Sequence, residues 1–230
     1  IIRDVYDQGE RDVDEILDEA EAKIFQVAES HKRKGFVWIK EVLWSTFEHI
    51  ERLQESATGI TGVATGFQDL DRMTTGLQKG DLAIVAGRPS MGKTSWVLNV
   101  TANAAISNNI PVAIFSLEMS SEQLVQRLLC AEGRIDALKL RRGRLSPEEH
   151  QRLAAAAGHL NTAPIWIDDA PGSNVLEIRA KARRLQSELR ADGKDLGMIV
   201  IDYMQLMSGA GKSESRVQEV SQISRGLKAL

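Results

Sequence analysis

An α/β fold, a mostly parallel sheet with helices on both faces, is predicted by two features of the chain. From Leu82 to Ile201, apolar runs of strand length alternate with stretches whose apolar residues recur at helical spacing, as successive βα units require. The first of those runs leads directly into Gly87-Arg88-Pro89-Ser90-Met91-Gly92-Lys93-Thr94, which fits GxxxxGK[ST], a phosphate-binding loop that lies between a strand and a helix.

In chain order, Asp12 and Glu15 form a capping-box pattern ahead of Val13, Ile16, Leu17, Ala20, Ile24 and Val27. An acidic amphipathic helix is expected there, broken by the basic turn His31-Lys32-Arg33-Lys34-Gly35. A second helix, about 39–54, carries the stripe Ile39, Val42, Leu43, Phe47, Ile50 and Leu53. A linker rich in Ser, Thr and Gly (Ser56 to Gly66) separates it from the remainder of the chain. That apolar stripe predicts docking on another subunit or domain in preference to packing on its own core. Leu82 to Ala86 reads as a strand buried on both faces, and Trp96, Val97, Val100 and Ala104 as the helix after the loop. Pro111 to Leu117 comes next as a strand, Ser121 to Glu132 as a helix capped by Ser120, and Leu145 to Leu160 as a helix with Pro147 in its first turn. Beyond it lie a short strand, Ile165 to Ile167, a helix from the Asn174 cap to about Arg190, and a buried strand, Met198 to Ile201. The last helical pattern (Val217, Val220, Ile223, Leu227, Leu230) has no cap after it, and the chain starts at Ile1 without Met, so a piece of a longer protein is expected.

At 230 residues and 43% hydrophobic, the chain can bury one substantial core with a smaller appendage. No run has the length of a membrane span and no signal peptide is visible, so a cytoplasmic protein without a membrane partner is expected. The single Cys130 sits among Leu124, Val125, Leu128 and Leu129, which argues against a disulfide or a thiolate metal site. His31, His49, His150 and His159 are scattered without ligand spacing and read as surface residues. Residues 1–30 hold ten acidic and three basic side chains, which leaves 26 basic against 22 acidic for the remainder. Such a mildly basic body permits nucleic-acid contact without requiring it.

The loop itself dictates the ligand. Its glycines let backbone amides turn inward, the helix N-terminus adds positive potential, Lys93 reaches the terminal phosphates of a nucleoside triphosphate, and the Thr94 hydroxyl completes a Mg2+ shell. Asp202, directly after the apolar strand 198–201, fits the carboxylate that holds the metal's water shell. Because Tyr203 succeeds it, the acid that orients water must come from elsewhere. Glu118, at the end of the next strand after the loop, is the candidate; its alternative is a helix N-terminal acid. Asp168 and Asp169 precede Ala170-Pro171-Gly172 and read as turn caps. The polar run 208–216, with Lys212, Ser213, Glu214 and Arg216, comes after the Asp202 strand and has the composition to grip a phosphate backbone; an ordinary surface loop is the alternative. The clusters Lys139, Arg141, Arg142, Arg144 and Arg179, Lys181, Arg183, Arg184 read as solvated or subunit-contact faces rather than DNA contacts.

Together these residues resemble the replicative hexameric DNA helicases of the DnaB type, which carry a RecA-like motor. The resemblance runs through Thr65-Gly66-Phe67-Gln68-Asp69-Leu70-Asp71, the phosphate loop, Phe115-Ser116-Leu117-Glu118-Met119-Ser120, Ile201-Asp202-Tyr203-Met204-Gln205-Leu206, and Glu219 to Lys228. It implies a RecA-like P-loop NTPase core that uses ATP and Mg2+ in a homohexameric ring, moving 5' to 3' on single-stranded DNA at a replication fork, with primase and a helicase loader as partners and the nucleoid of a bacterial cytoplasm as its setting. By position, Lys93 and Glu118 would be catalytic, Gly87 to Thr94 would bind nucleotide, Thr94 and Asp202 would hold metal, and Lys212, Ser213, Glu214 and Arg216 would meet DNA. Residues 1–35 would end an N-terminal helical domain, 36–56 would form the docking linker, and 57–230 an ATPase domain incomplete at its C-terminal side. The strand bearing the family's phosphate-sensing glutamine, its arginine finger and its second DNA loop would lie beyond Leu230, so nucleotide binding is expected to exceed hydrolysis. A recombinase ATPase of the RecA or RadA type and a nucleotide-gated assembly scaffold are the competing readings.

Overall fold

A computed structural model describes residues 37–55, 59–207 and 216–230. The acidic helix expected near 12–27 and the run 208–215 lie outside them. The chain divides into two compact units, residues 1–55 and 56–230.

In the first unit, helix α1 (Ile39–Glu55) forms where the 3.6-residue repeat predicts it. Its apolar side chains Ile39, Trp44 and Phe47, with Trp38 just ahead of them, are all more than half exposed, and the Trp44 and Phe47 rings lie 6.4 Å apart.

The second unit is built on three parallel strands in the order β2-β1-β3: β1 (Val112–Ser116), β2 (Ile165–Asp168) and β3 (Met198–Asp202). Central β1 is buried along its whole length, and its alternating side chains feed two separate cores. Ala113 and Phe115 pack with Ile178, Ala182, Met207, Ile223 and Leu227, drawn largely from α7 (Val175–Ala191) and α8 (Arg216–Lys228). Val112 and Ile114 pack on the opposite face with Leu98, Leu124 and Leu128, drawn from α3 (Lys93–Ala102) and α4 (Ser121–Gly133). Helices therefore cover both faces, as expected for parallel strands joined by crossovers. Among the described residues the unit also holds two shorter α-helices, α2 (Gln68–Thr74) and α5 (Ala137–Arg141), with α6 (Pro147–Thr162) between α5 and β2, a π-helical turn at Asn103–Ser107 and a 3-10 turn at Met204–Leu206. The predicted caps hold at Ser120 on α4 and Asn174 on α7, the latter in a complete capping box with Glu177; α6 starts at Pro147, two residues after the expected Leu145, where Ser146 and Glu149 form a second capping box. Both Cys130, buried on α4, and His150 and His159, exposed on α6, lie where the sequence places them.

Two expectations need correction. Leu82 to Ala86 has no ladder partner among the described residues; Ile84 is 63% exposed and Val85 42%. An apolar run specifies a strand suited to burial but cannot supply the neighbour that pairs with it. Among the described residues β3 is paired only on its β1 side, and a groove separates its other edge from Leu82–Ala86. The stretch 59–66, read as linker, instead belongs to the second unit: Val63 bridges Leu77 in antiparallel fashion, and Thr65 is 1% exposed. Its anchor is Asp71, whose carboxylate accepts from the Thr65 amide (2.9 Å), the Thr65 hydroxyl (2.7 Å) and the Gly66 amide (3.0 Å).

Candidate nucleotide site

Parallel pairing aligns the carboxyl ends of β1 and β3, with Ser116 opposite Asp202, and the Leu117 amide extends the ladder by donating to the Asp202 carbonyl at 2.8 Å. Ligand crevices of parallel α/β sheets open at these ends. Here a groove of about 1250 Å³ is lined by Gly87, Lys93, Thr94, Trp96, Glu118 and Asp202, among others.

The loop turns through Ser90 and Gly92, at φ 65° and 84°. Gly92 precedes the first residue of α3, and a Cβ there would meet nothing within 4 Å. Its glycine is therefore required by backbone conformation rather than by space. Helix α3 begins at Lys93, so its free N-terminal amides face the loop. The Lys93 ammonium donates to the Gly87 carbonyl at 3.0 Å and the Arg88 carbonyl at 3.3 Å, and the Met91 amide donates to the Arg88 carbonyl at 3.3 Å. Arg88, Pro89 and Ser90 are exposed on the rim of the same turn.

Across the crevice, the Thr94 hydroxyl donates to Asp202 Oδ2 at 2.8 Å, and Asp202 is 8% exposed. This contact joins residues 108 positions apart and places two oxygen ligands of the type a hard cation takes side by side. The donor set fits Mg2+, which is held by one or two protein oxygens with the remaining positions left to water and phosphate. Glu118 lies two residues past β1, exposed and facing the same groove.

Other candidates fall differently. Lys212, Ser213 and Glu214 lie outside the described residues. Arg216 begins α8 with its guanidinium folded back onto Glu219 (2.5 Å) and the Gln205 carbonyl. The acids at the end of β2 serve structure: Asp168 accepts from the Ala170 amide (3.0 Å) and pairs with Lys181 (2.6 Å), while Asp169 accepts from the Ser121 amide at 2.7 Å. The Ser121 hydrogen bonds hold the Asp169 carboxyl below the usual range. Of the two basic clusters, Arg184 pairs with Glu188 (3.1 Å) as solvated helix faces do, whereas Lys139 reaches from α5 to the buried Glu149 of α6 (2.8 Å). Arg179, however, is 9% exposed and donates to the Ala229 carbonyl at 2.9 Å, so it is a tether between α7 and the end of α8 rather than part of a charged face. One contact at the groove has no counterpart in the sequence expectations: Phe67 stacks on Trp96, with ring centroids 5.7 Å apart. The two lie 29 positions apart in the chain, so no local signal marks their contact.

Residues 62–230 match the family described as "DnaB-like helicase C terminal domain". The chain belongs to that family. It is 53% identical over 222 residues to the replicative DNA helicase DnaB of Geobacillus stearothermophilus and 51% identical over 222 residues to the replicative DNA helicase DnaC of Bacillus subtilis (strain 168). Each alignment covers 96% of this chain and 48% of the relative, so the chain spans about half the length of these relatives. Among solved structures it resembles one described as an ATPase domain, with a TM-score of 0.76 and 35% identity over 85% of this chain and 67% of that one. A DnaB-like replicative helicase studied for its interactions with primase aligns with a TM-score of 0.72 and 35% identity over 92% of this chain and 49% of that one. The fold of this DnaB-like domain is accordingly the parallel α/β fold that the strand and helix alternation predicts, and it is RecA-like, as the resemblance implies.

Proposed function

We propose that this chain is the nucleotide-binding part of an ATP-dependent replicative DNA helicase. The observation that carries the reading is the hydrogen bond from Thr94 to Asp202, made in the crevice that Lys93 and Glu118 also line. Phosphate entering the loop meets inward amides and the α3 N-terminus, and exchanges the Lys93 ammonium from the Gly87 and Arg88 carbonyls to its own oxygens. Mg2+ held by Thr94 and Asp202 would neutralise charge on the transferred phosphate. Glu118 orients the attacking water and accepts its proton.

The remaining parts of the reading rest on the family resemblance, of which the relatives' printed names carry only the replicative DNA helicase and the interaction with primase. Six copies form a ring around single-stranded DNA and move 5' to 3', with residues 212–216 lining the pore. Helix α1, within linker 36–56, docks on the neighbouring subunit, and residues 1–35 end a helical domain that meets primase. A loader places the ring on DNA at the bacterial nucleoid, in the cytoplasm; no described helix is long and apolar enough to cross a membrane. Residues 57–230 belong to the helicase's ATPase domain.

Forked duplexes with either a 5' or a 3' single-stranded tail test this in the longer protein that contains the chain. ATP-dependent unwinding that requires the 5' tail, lost in Glu118→Gln while ATP still binds, is the expected result. DNA-stimulated hydrolysis without strand separation would favour a recombinase. Function indifferent to Glu118→Gln would favour a nucleotide-gated scaffold.

A further inference from the structure

We infer that Phe67 and Trp96 are positioning residues for the phosphate loop: their stacked rings brace the first turn of α3 against the folded strap 59–80. The inference rests on the nucleotide-binding reading of that loop.

The loop's own approach contributes little rigidity. Leu82 to Ser90 is exposed throughout, and its strand-like part lacks a ladder among the described residues. What orients Lys93 and Thr94 is therefore the seating of α3, whose buried Leu98 and Val100 fix the middle of the helix on the core. Its first turn is held on the sheet side by the hydrogen bond from Thr94 to Asp202, and on the other side by the strap. The Trp96 amide donates to the Gly92 carbonyl at 2.9 Å, closing the turn around Lys93 and Thr94. One residue thus joins the loop, through its backbone, to the strap, through its ring. The Trp96 indole lies 5.7 Å from the Phe67 ring at an interplanar angle of 17°, and Trp96 also borders the groove.

Phe67 can act as a brace because its own backbone is held on both sides. Its amide donates to the Thr65 hydroxyl at 3.2 Å, and its carbonyl accepts from the Asp71 amide at 2.8 Å. Thr65 is itself held by the buried Asp71 carboxylate. The strap is pinned a second time past the C-terminal end of α3, where Asn103 Nδ2 donates to the Ala64 carbonyl at 3.1 Å. There Gly66, at φ 83°, passes so close that a Cβ would lie 2.7 Å from the Asn103 side chain. Strap and helix therefore meet at two points about two helical turns apart, which resists rotation of α3 as one contact would not. Phe67 is 40% exposed, so more than half of its surface is covered, with the Trp96 ring stacked on it.

The test uses the full 230-residue chain and a fluorescent ATP analogue with Mg2+. Phe67→Leu keeps an apolar side chain but removes the stack, whereas Phe67→Tyr keeps it. With affinities read on the folded protein, Phe67→Leu is expected to bind the analogue about five-fold more weakly, the size of effect a lost aromatic pair produces. Phe67→Tyr is expected to bind like the parent chain. Parent-like affinity in Phe67→Leu, or equal weakening in Phe67→Leu and Phe67→Tyr, would overturn the inference while leaving the nucleotide site intact. Failure of the parent chain to bind at all, or binding unchanged by Lys93→Ala, would remove the nucleotide reading and the inference with it.

Discussion

Asp71 shows how one side chain sets a local structure. Burial pushes its carboxyl pKa up, but hydrogen bonds from the Thr65 hydroxyl, the Thr65 amide and the Gly66 amide outweigh burial and hold it below the usual aspartate range. Asp71→Asn places an amide NH2 in a site surrounded by donors, so a loss of about 1–3 kcal/mol is expected, measured by denaturant unfolding. Linkage gives the pH dependence. A carboxyl whose folded pKa is depressed contributes stability that is fully present above its unfolded pKa, about 3.9, and is lost as pH falls through the lower folded value. The difference between the parent and Asp71→Asn should therefore be constant above roughly pH 5 and shrink in more acidic solution. The site acids are equally specific in position: Asp202 is nearly buried against Thr94, whereas Glu118 is open to the groove where water and phosphate would enter.

Among the elements, the helices obey their local signals closely because caps and periodicity are short-range. Ser146 illustrates this: its hydroxyl accepts from the Glu149 amide at 3.2 Å, while the Glu149 carboxylate accepts from the Ser146 amide at 2.8 Å and from Lys139 at 2.8 Å. Ser146→Ala is expected to cost about 1 kcal/mol, read as a lower unfolding midpoint without change in nucleotide binding. Strands behave differently. Met198 to Ile201 and Leu82 to Ala86 are both continuous apolar runs, yet among the described residues only the first pairs, because β1 lies beside it. Length and apolar content mark each run as a strand, but a ladder needs a second chain segment that no local pattern names.

At the scale of the whole molecule, the two units differ in how they treat apolar surface. The second buries it on both faces of β1, while the first displays Trp38, Ile39, Trp44 and Phe47 to solvent. If α1 docks on a neighbouring subunit, Phe47→Asp in the longer protein should shift its mass by light scattering from a ring toward single subunits, with nucleotide affinity preserved; an intact ring would remove α1 from the interface. By itself the sequence determined the α/β class, the starts of α1, α4 and α7, and the candidate phosphate loop that leads into α3. Each of these is written in contiguous residues, through apolar spacing, a cap three residues from its partner, or glycines at fixed intervals. Only the tertiary structure decided that Thr94 meets Asp202, that Arg179 is buried against Ala229, that 59–66 folds back as a strap, and that Phe67 stacks on Trp96. Those contacts join residues far apart in the chain, and parallel register with packing, rather than any local preference, chooses which distant residues become neighbours.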